Sequence, residues 1–281
     1  MSVPEGKPGA WEAGSALAAN SRFEVRAARG PVDIAAAQRL RYQVFYEELT
    51  ARPSAAMARV RRDFDEFDEI CDHMLVIDRH GPAGERTVAT TRLLRGEVAE
   101  AHGGFYCARE FDIRSLVRAG TAGVCEIGRS SVHPDYRASA IIQLLWRGLA
   151  HYYQTHRISY VIGCASFPGE DPSEHAHALA YLFDQHLAPL ERRARAWPHL
   201  YTPMESRLGE APSARRIWAR LPPLIKGYLR LGAVVGDGAV VDAQFQTTDV
   251  FMAVDLAQTP ERYHAFFERG GVHGRLEAAT A

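Results

Sequence analysis

No C-x-x-C pair occurs among the four cysteines, Cys71, Cys107, Cys125 and Cys164, which excludes the common zinc and dithiol redox motifs. No apolar run approaches the length needed to span a bilayer. Net charge is scarce too: 33 basic residues face 34 acidic ones, for a formal charge of -1, which gives no support to general nucleic-acid binding. The opening MSVPEGKPGAWEAGSALAAN lacks the basic segment and apolar core of a secretory signal, so the expectation is a cytoplasmic protein with reduced thiols. There is no G-x-S-x-G elbow, no Walker A motif, no G-x-G-x-x-G after a strand and no H-E-x-x-H. His175, His177 and His186 suggest a metal only weakly, because positions two apart on a helix face different sides, and no metal is expected.

What is present is an ordinary globular composition, 47% hydrophobic over 281 residues. Residues 1–21 are rich in Gly, Ala, Ser and Pro and read as a tail. Residues 22–267 read as one mixed α/β domain, with strands and helices in the order β-α-β-β-α-β-α-β-α-β-β and a second tail over 268–281. Within it, the Pro- and Arg-rich stretch 188–220 reads as an insertion or lid. Residues 50–62 read as a polar, basic connection. Asp33 is a plausible cap for the first helix, whose buried face is Ile34, Ala37, Leu40 and Val44.

The stretch from Gly123 to Tyr152 organises the rest. It reads as a strand broken at Pro134-Asp135, then a helix from about Ala138 with Ile141, Leu145 and Leu149 on its apolar face. A strand that ends at a helix N-terminus makes an anion site, because the first helical N–H groups lack partners. Glu126 and Arg129 lie just upstream. In a regular strand they would point to opposite faces; a bulge at Gly128 would bring both into one cleft. The alternative is a surface strand carrying an ion pair.

Three further signals gather around this unit. Arg41 and Phe45 are helical neighbours, four apart. The run Asp63 to Glu69 is acidic at five of seven positions, with Phe64 and Phe67 interleaved. Arg92 is a charge inside an otherwise strand-like, half-buried pattern, and it needs a partner, for which the acidic run is the nearest candidate. Cys125 and Cys164 sit in apolar strand patterns, where a structural thiol is far commoner than a nucleophile.

The segments RLRYQVFYEEL, DFDEFD, VATTRLL and EIGRSSVHPDYR together resemble the ornithine-acyl-[acyl carrier protein] N-acyltransferases. These share the GCN5-related N-acetyltransferase fold and are cousins of the acyl-homoserine-lactone synthases. The likeness extends over roughly residues 22–267, and it implies a twisted mixed sheet flanked by helices. It implies transfer of a 3-hydroxyacyl chain from acyl carrier protein to the α-amine of L-ornithine, giving lyso-ornithine lipid with no bound cofactor. Matched position by position, it implies Glu126 and Arg129 as catalytic residues, with Arg41, Phe45, Asp63, Asp65, Asp68 and Arg92 around the acceptor. The three acids would either bind the acceptor's side-chain ammonium or pair with the arginines.

Two departures qualify the likeness. The Trp that the lactone synthases carry after the first helix is missing, which argues against a lactone-forming signal synthase; that activity and N-acylation of another amino acid remain the alternatives. The glycine-rich pyrophosphate loop of the fold is replaced by Arg137-Ala138-Ser139-Ala140. A phosphopantetheine arm carries one phosphate, so a reduced anion site formed by Ser130, Ser131, Val132 and Arg137 to Ala140 suits a carrier-protein donor. The basic stretch with Arg215, Arg216, Arg220, Lys226 and Arg230 could dock that acidic carrier or the anionic inner face of the membrane as a peripheral contact.

Overall fold

A computed structural model describes residues 16–81, 84–118, 120–137, 139–205, 209 and 212–260. Its strands are β1 (Ala16–Ala19), β2 (Phe23–Ala27), β3 (Asp72–Gly81), β4 (Gly84–Arg95), β5 (Phe111–Asp112), β6 (Val124–Val132), β7 (Tyr160–Pro168), β8 (Arg195–Ala196), β9 (Val234–Asp242) and β10 (Thr247–Asp255). Its α-helices are α1 (Pro31–Tyr42), α2 (Ala55–Val60), α3 (Gly96–Ala101), α4 (Ser139–Thr155), α5 (Ala176–His186), α6 (Ala214–Arg220) and α7 (Pro223–Arg230). The strands form one twisted sheet in the order β1-β2-β3-β4-β6-β7-β10-β9-β8-β5. Pairing is antiparallel except between β6 and β7 and between β8 and β9. This is the mixed α/β architecture expected from the sequence.

Side-chain alternation explains the layers. Along β3, Met74 and Val76 join the core that packs under α4, while Leu75 and Ile77 turn the other way and meet Ala37 of α1. Helix α4 contributes Ile141, Leu144, Leu145, Leu149 and Tyr152 to the first core. It lies close on the sheet because Gly148 has no side chain; a Cβ there would sit 2.5 Å from Cγ1 of Val25. A second core, with Phe67, Leu94, Cys107, Phe111 and Phe251, fills the opposite side.

Several details depart from the sequence reading. Ala16–Ala19 is an edge strand on β2 and not part of a tail. The connection after the first helix carries α2, capped by the Ser54 hydroxyl, which accepts from the Met57 N–H. Helix α1 begins at Pro31 and is not capped by Asp33. Asp33 sits in its first turn, where its carboxylate pairs with Arg26 at 2.5 Å and accepts from the Arg29 N–H. The stretch 188–220 is tied into the sheet through β8. Residues 1–15 of the expected first tail, residues 261–267 of the expected domain and the expected tail over 268–281 lie outside the described residues.

The feature that opens a site is the short contact between β6 and β7. They pair only from Val124 to Glu126 against Tyr160 to Ile162, after which β6 stays with β4 and β7 with β10. The two strands are pinned just before they part: a Cβ on Gly163 would lie 2.4 Å from the carbonyl oxygen of Ile127. Gly163→Ala is therefore expected to destabilise the fold by about 1–3 kcal/mol in urea unfolding. Gly128→Ala, which meets nothing within 4 Å, is expected to stay within about 0.5 kcal/mol. Equal effects would show that the β6–β7 contact is not the constraint.

Candidate active site

Beyond Glu126 the two strands enclose a cavity of about 260 Å³. It is lined by Glu126, Gly128, Arg129 and Ser130 of β6, by Cys164 and Ser166 of β7, and by Asp249 of β10. Glu126 and Arg129 thus face the same space, as a bulge would require. The register of β6 on β4 slips between Gly128, opposite Arg92, and Ser131, opposite Thr90. The left-handed residue in the slip is Arg129 itself, at φ 51°, and not Gly128. A non-glycine residue there costs on the order of 1–2 kcal/mol, so surrounding contacts must hold it.

Those contacts are an alternating network of three guanidiniums and three carboxylates. Arg41 donates to Asp63 at 2.7 Å and to Asp68 at 2.8 Å. Arg92 meets Asp65 at 2.5 Å and Asp68 at 3.4 Å. Arg129 meets Asp65 at 3.2 Å and Asp63 at 3.5 Å. The Arg129 guanidinium also lies over the rings of Phe245, at 4.4 Å, and Tyr106, at 4.9 Å. Tyr46 donates to Asp63 at 3.0 Å. Burial pushes the Asp68 carboxyl up, but the charges of Arg41 and Arg92 outweigh it and hold the group below its usual range.

The network decides between the two readings of the acidic triplet. Asp63, Asp65 and Asp68 are engaged by the arginines, and none of them lines the cavity. Arg41 is 1% exposed and also lies off the cavity wall. Phe45 and Arg92 do line it. The separation of Arg41 from Phe45 follows from a change of helix: after Tyr42 the chain continues as a π-helix, Gln43–Glu48, which turns Phe45 toward the cavity and against Phe245.

Glu126 is buried, and each of its oxygens accepts one backbone N–H at 2.7 Å, from Tyr106 and from Cys107. Burial still raises its pKa, since these donors and Arg92 compensate only in part. Burial also pushes the Cys125 and Cys164 thiols well up, the reverse of an activated nucleophile. A second carboxylate group lies at the cavity: oxygens of Glu110, Asp242 and Asp249 fall within 4.8 Å of one another, an arrangement able to hold a cation. Asp242 and Asp249 line the cavity with Arg129. Burial and the neighbouring Asp249 and Asp242 raise Glu110 to about 8, and burial raises Asp249 to about 6.

The expected phosphopantetheine segment is only partly at this cavity. Ser130 lines it, with its hydroxyl 2.8 Å from that of Thr91. Ser131 is buried, the Val132 carbonyl accepts from Arg137, and the Arg137 guanidinium is held bidentately by Glu48. Ser139 and Ala140 open α4, and Ala138 lies outside the described residues. Arg215, Arg216, Arg220 and Arg230 are exposed on α6 and α7, and Lys226 donates to the Ala219 carbonyl. Among the described residues none of these five has a carboxylate within 4 Å.

The sequence reading missed Glu110, Asp242, Asp249, Tyr106 and Phe245. A signal existed for one of them: Asp249 is a lone charge inside TTDVFMAV, the same anomaly that singled out Arg92.

Asp68 accepts from two buried guanidiniums, so Asp68→Asn is expected to cost about 3–5 kcal/mol by leaving them under-neutralised. The sign with pH follows from the depressed folded pKa. The ionised carboxylate stabilises the fold above its unfolded pKa, near 3.9, and that contribution is lost as pH falls through the lower folded value. Urea midpoints measured from pH 7 to pH 2 should therefore fall less steeply in the variant; parallel curves would show that Asp68 is not part of the acid response.

The acetyltransferase (GNAT) domain family matches residues 40–147. The L-ornithine N(alpha)-acyltransferase of Agrobacterium fabrum (strain C58 / ATCC 33970) is 47% identical over 257 residues, covering 90% of this chain and 87% of that protein. The L-ornithine N(alpha)-acyltransferase of Rhizobium meliloti (strain 1021) is 44% identical, covering 93% of this chain and 88% of that protein. Among solved structures, FeeM, an N-acyl amino acid synthase from uncultured soil microbes, superposes with a TM-score of 0.50 at 10% identity, over 85% of this chain and 94% of that one. The AHL synthase LasI superposes with a TM-score of 0.47 at 13% identity, over 92% and 100%. The chain belongs to the L-ornithine N(alpha)-acyltransferase family, with the GNAT-like mixed sheet its structure displays.

Proposed function

We propose that the protein moves a 3-hydroxyacyl chain from acyl carrier protein to the α-amine of L-ornithine, giving lyso-ornithine lipid. The observation that carries this reading is the cavity between β6 and β7 in a chain related along most of its length to L-ornithine N(alpha)-acyltransferases, with Glu126 and Arg129 both on its wall. The amine attacks the thioester carbonyl directly: the C–N bond forms, the tetrahedral adduct collapses with cleavage of the C–S bond, and the carrier's phosphopantetheine thiolate departs and takes up a proton from solvent. The amine must first shed a proton, since a free α-ammonium has a pKa of about 8.

Glu126 is the proposed base, acting directly or through one water. Each carboxylate oxygen has a second lone pair beyond the one its backbone donor occupies. Its raised pKa makes it a better proton acceptor than an ordinary carboxylate. Arg129, whose side chain lines the cavity, is suited to the acceptor carboxylate. Past Glu126, the edge of β6 that would face β7 has no strand partner, so its backbone N–H groups are available to the thioester oxyanion.

The donor assignment rests on charge and on the loop before α4. That loop lacks the glycines that close around a pyrophosphate, and the exposed arginines of α6 and α7 offer an acidic carrier a surface free of competing carboxylates among the described residues. The same cationic face suits peripheral contact with anionic lipid. No described helix is long and apolar enough to cross a membrane.

The test is a product search by mass spectrometry. Purified protein is mixed with 3-hydroxyacyl carrier protein and a pool of amino acids. N-acyl-ornithine is expected; acylation of another amino acid alone, or of none, overturns the reading. Glu126→Gln is expected to lower kcat by about 10²–10⁴-fold. It should also remove the acid limb of the kcat/KM profile, which lies above the ordinary carboxylate range in the parent enzyme. Unchanged turnover with an unchanged Tm would take the base role from Glu126.

A further inference from the structure

Two sets of three carboxylates stand out around the site, and they differ in one respect. Asp63, Asp65 and Asp68 are matched by three guanidiniums. Glu110, Asp242 and Asp249 have no basic side chain within 4 Å among the described residues, although their oxygens come within 4.8 Å of one another. Their contacts are weak or local. The Cys164 thiol donates to Glu110 at 3.4 Å, and Asp242 accepts the N–H groups of Gln244 and Phe245, in its own turn, at 2.7 and 2.9 Å. Asp249 is 6% exposed, and its Oδ1 is buried with no hydrogen-bond partner. The hydroxyls of Thr247 and Ser166 beside it offset its burial only in part. Thr247 also lines the cavity.

A buried, unpartnered carboxylate oxygen is costly and calls for a donor. Here three acidic side chains converge on one spot beside the proposed acceptor site, and two of them, Asp242 and Asp249, form part of its wall. We infer that Glu110, Asp242 and Asp249 bind the side-chain ammonium of a diamino-acid acceptor, and so select ornithine over neutral amino acids. This rests on the acyltransferase reading above, which supplies the acceptor, and it moves the specificity site away from Asp63, Asp65 and Asp68.

The chemistry favours an organic ammonium over a divalent metal. An alkylammonium has three N–H donors, one for each carboxylate. Magnesium and calcium require about six or more oxygen ligands, many of them water. The trio is instead flanked by a thiol, at Cys164, and by the ring of Phe245. The arrangement also gives the acceptor a direction. With its carboxylate at Arg129 and its distal ammonium at the trio, the α-amine remains between them, on the wall it shares with Glu126.

The test compares L-ornithine with L-norvaline, which has the same carbon chain and no distal amine. Calorimetric titration of the full-length protein should show ornithine binding at least about tenfold more tightly. Asp249→Asn, which keeps the side-chain shape and removes the charge, should collapse that ratio toward one while norvaline binding is unchanged. Asp242→Asn serves as a second variant should the first fail to fold. A ratio that survives both substitutions overturns the assignment. So does a ratio that EDTA abolishes and magnesium restores, since the trio would then hold a metal. Because the readout is binding, an intact ratio in a protein that forms no N-acyl-ornithine supports the site and rejects only the proposed reaction.

Discussion

The interaction on which the rest depends is the burial of three guanidiniums against three carboxylates under the floor of the cavity. Each pair alone would be near break-even, because the loss of hydration rivals the Coulomb gain. As an alternating set, the charges are mutually neutralised, and each carboxylate is shared between two arginines. The set ties α1, the loop before β3, β4 and β6 together at one place. It also holds Arg129 in the left-handed conformation that re-aims the β6 backbone.

That conformation explains the opening of the sheet. A regular β6 would have continued beside β7 and closed the gap with hydrogen bonds. The slip at Arg129, together with the tight Gly163 contact just before it, makes the strands pair and then part. The space left behind is a wedge with backbone on one edge and side chains from five strands around it. A direct transfer to an amine needs little more than such a wedge, a proton acceptor and a charged anchor, which fits the absence of an activated thiol at Cys125 or Cys164.

The two carboxylate groups differ in what neutralises them. One is spent inside the protein on arginines and is structural in consequence. In the other, burial and the neighbouring carboxylates raise Glu110, burial raises Asp249, and the charge of Arg129 offsets these shifts only in part. On the assignment proposed above, the second group receives a cationic ligand, whereas the first is matched by arginines inside the protein.

Much of this was legible in the chain. The strand pattern placed β3, β4, β6, β7, β9 and β10, and the apolar spacing placed α1 and α4, because period and burial are local properties of sequence. Glu126 and Arg129 were readable as a pair around a flexible point, and Arg92 as a charge in need of a partner, because each breaks a local rule. The sequence missed β1, whose ALAA has no alternation, and centred the bulge on Gly128, where the left-handed conformation is carried by Arg129. It left open whether the acidic triplet served substrate or arginines. Only the tertiary structure decided that, because the choice depends on which cations reach the triplet in space. For the same reason Glu110, from just before β5, and Asp242 and Asp249, from the β9–β10 hairpin, became a group only when the fold brought these two distant segments together.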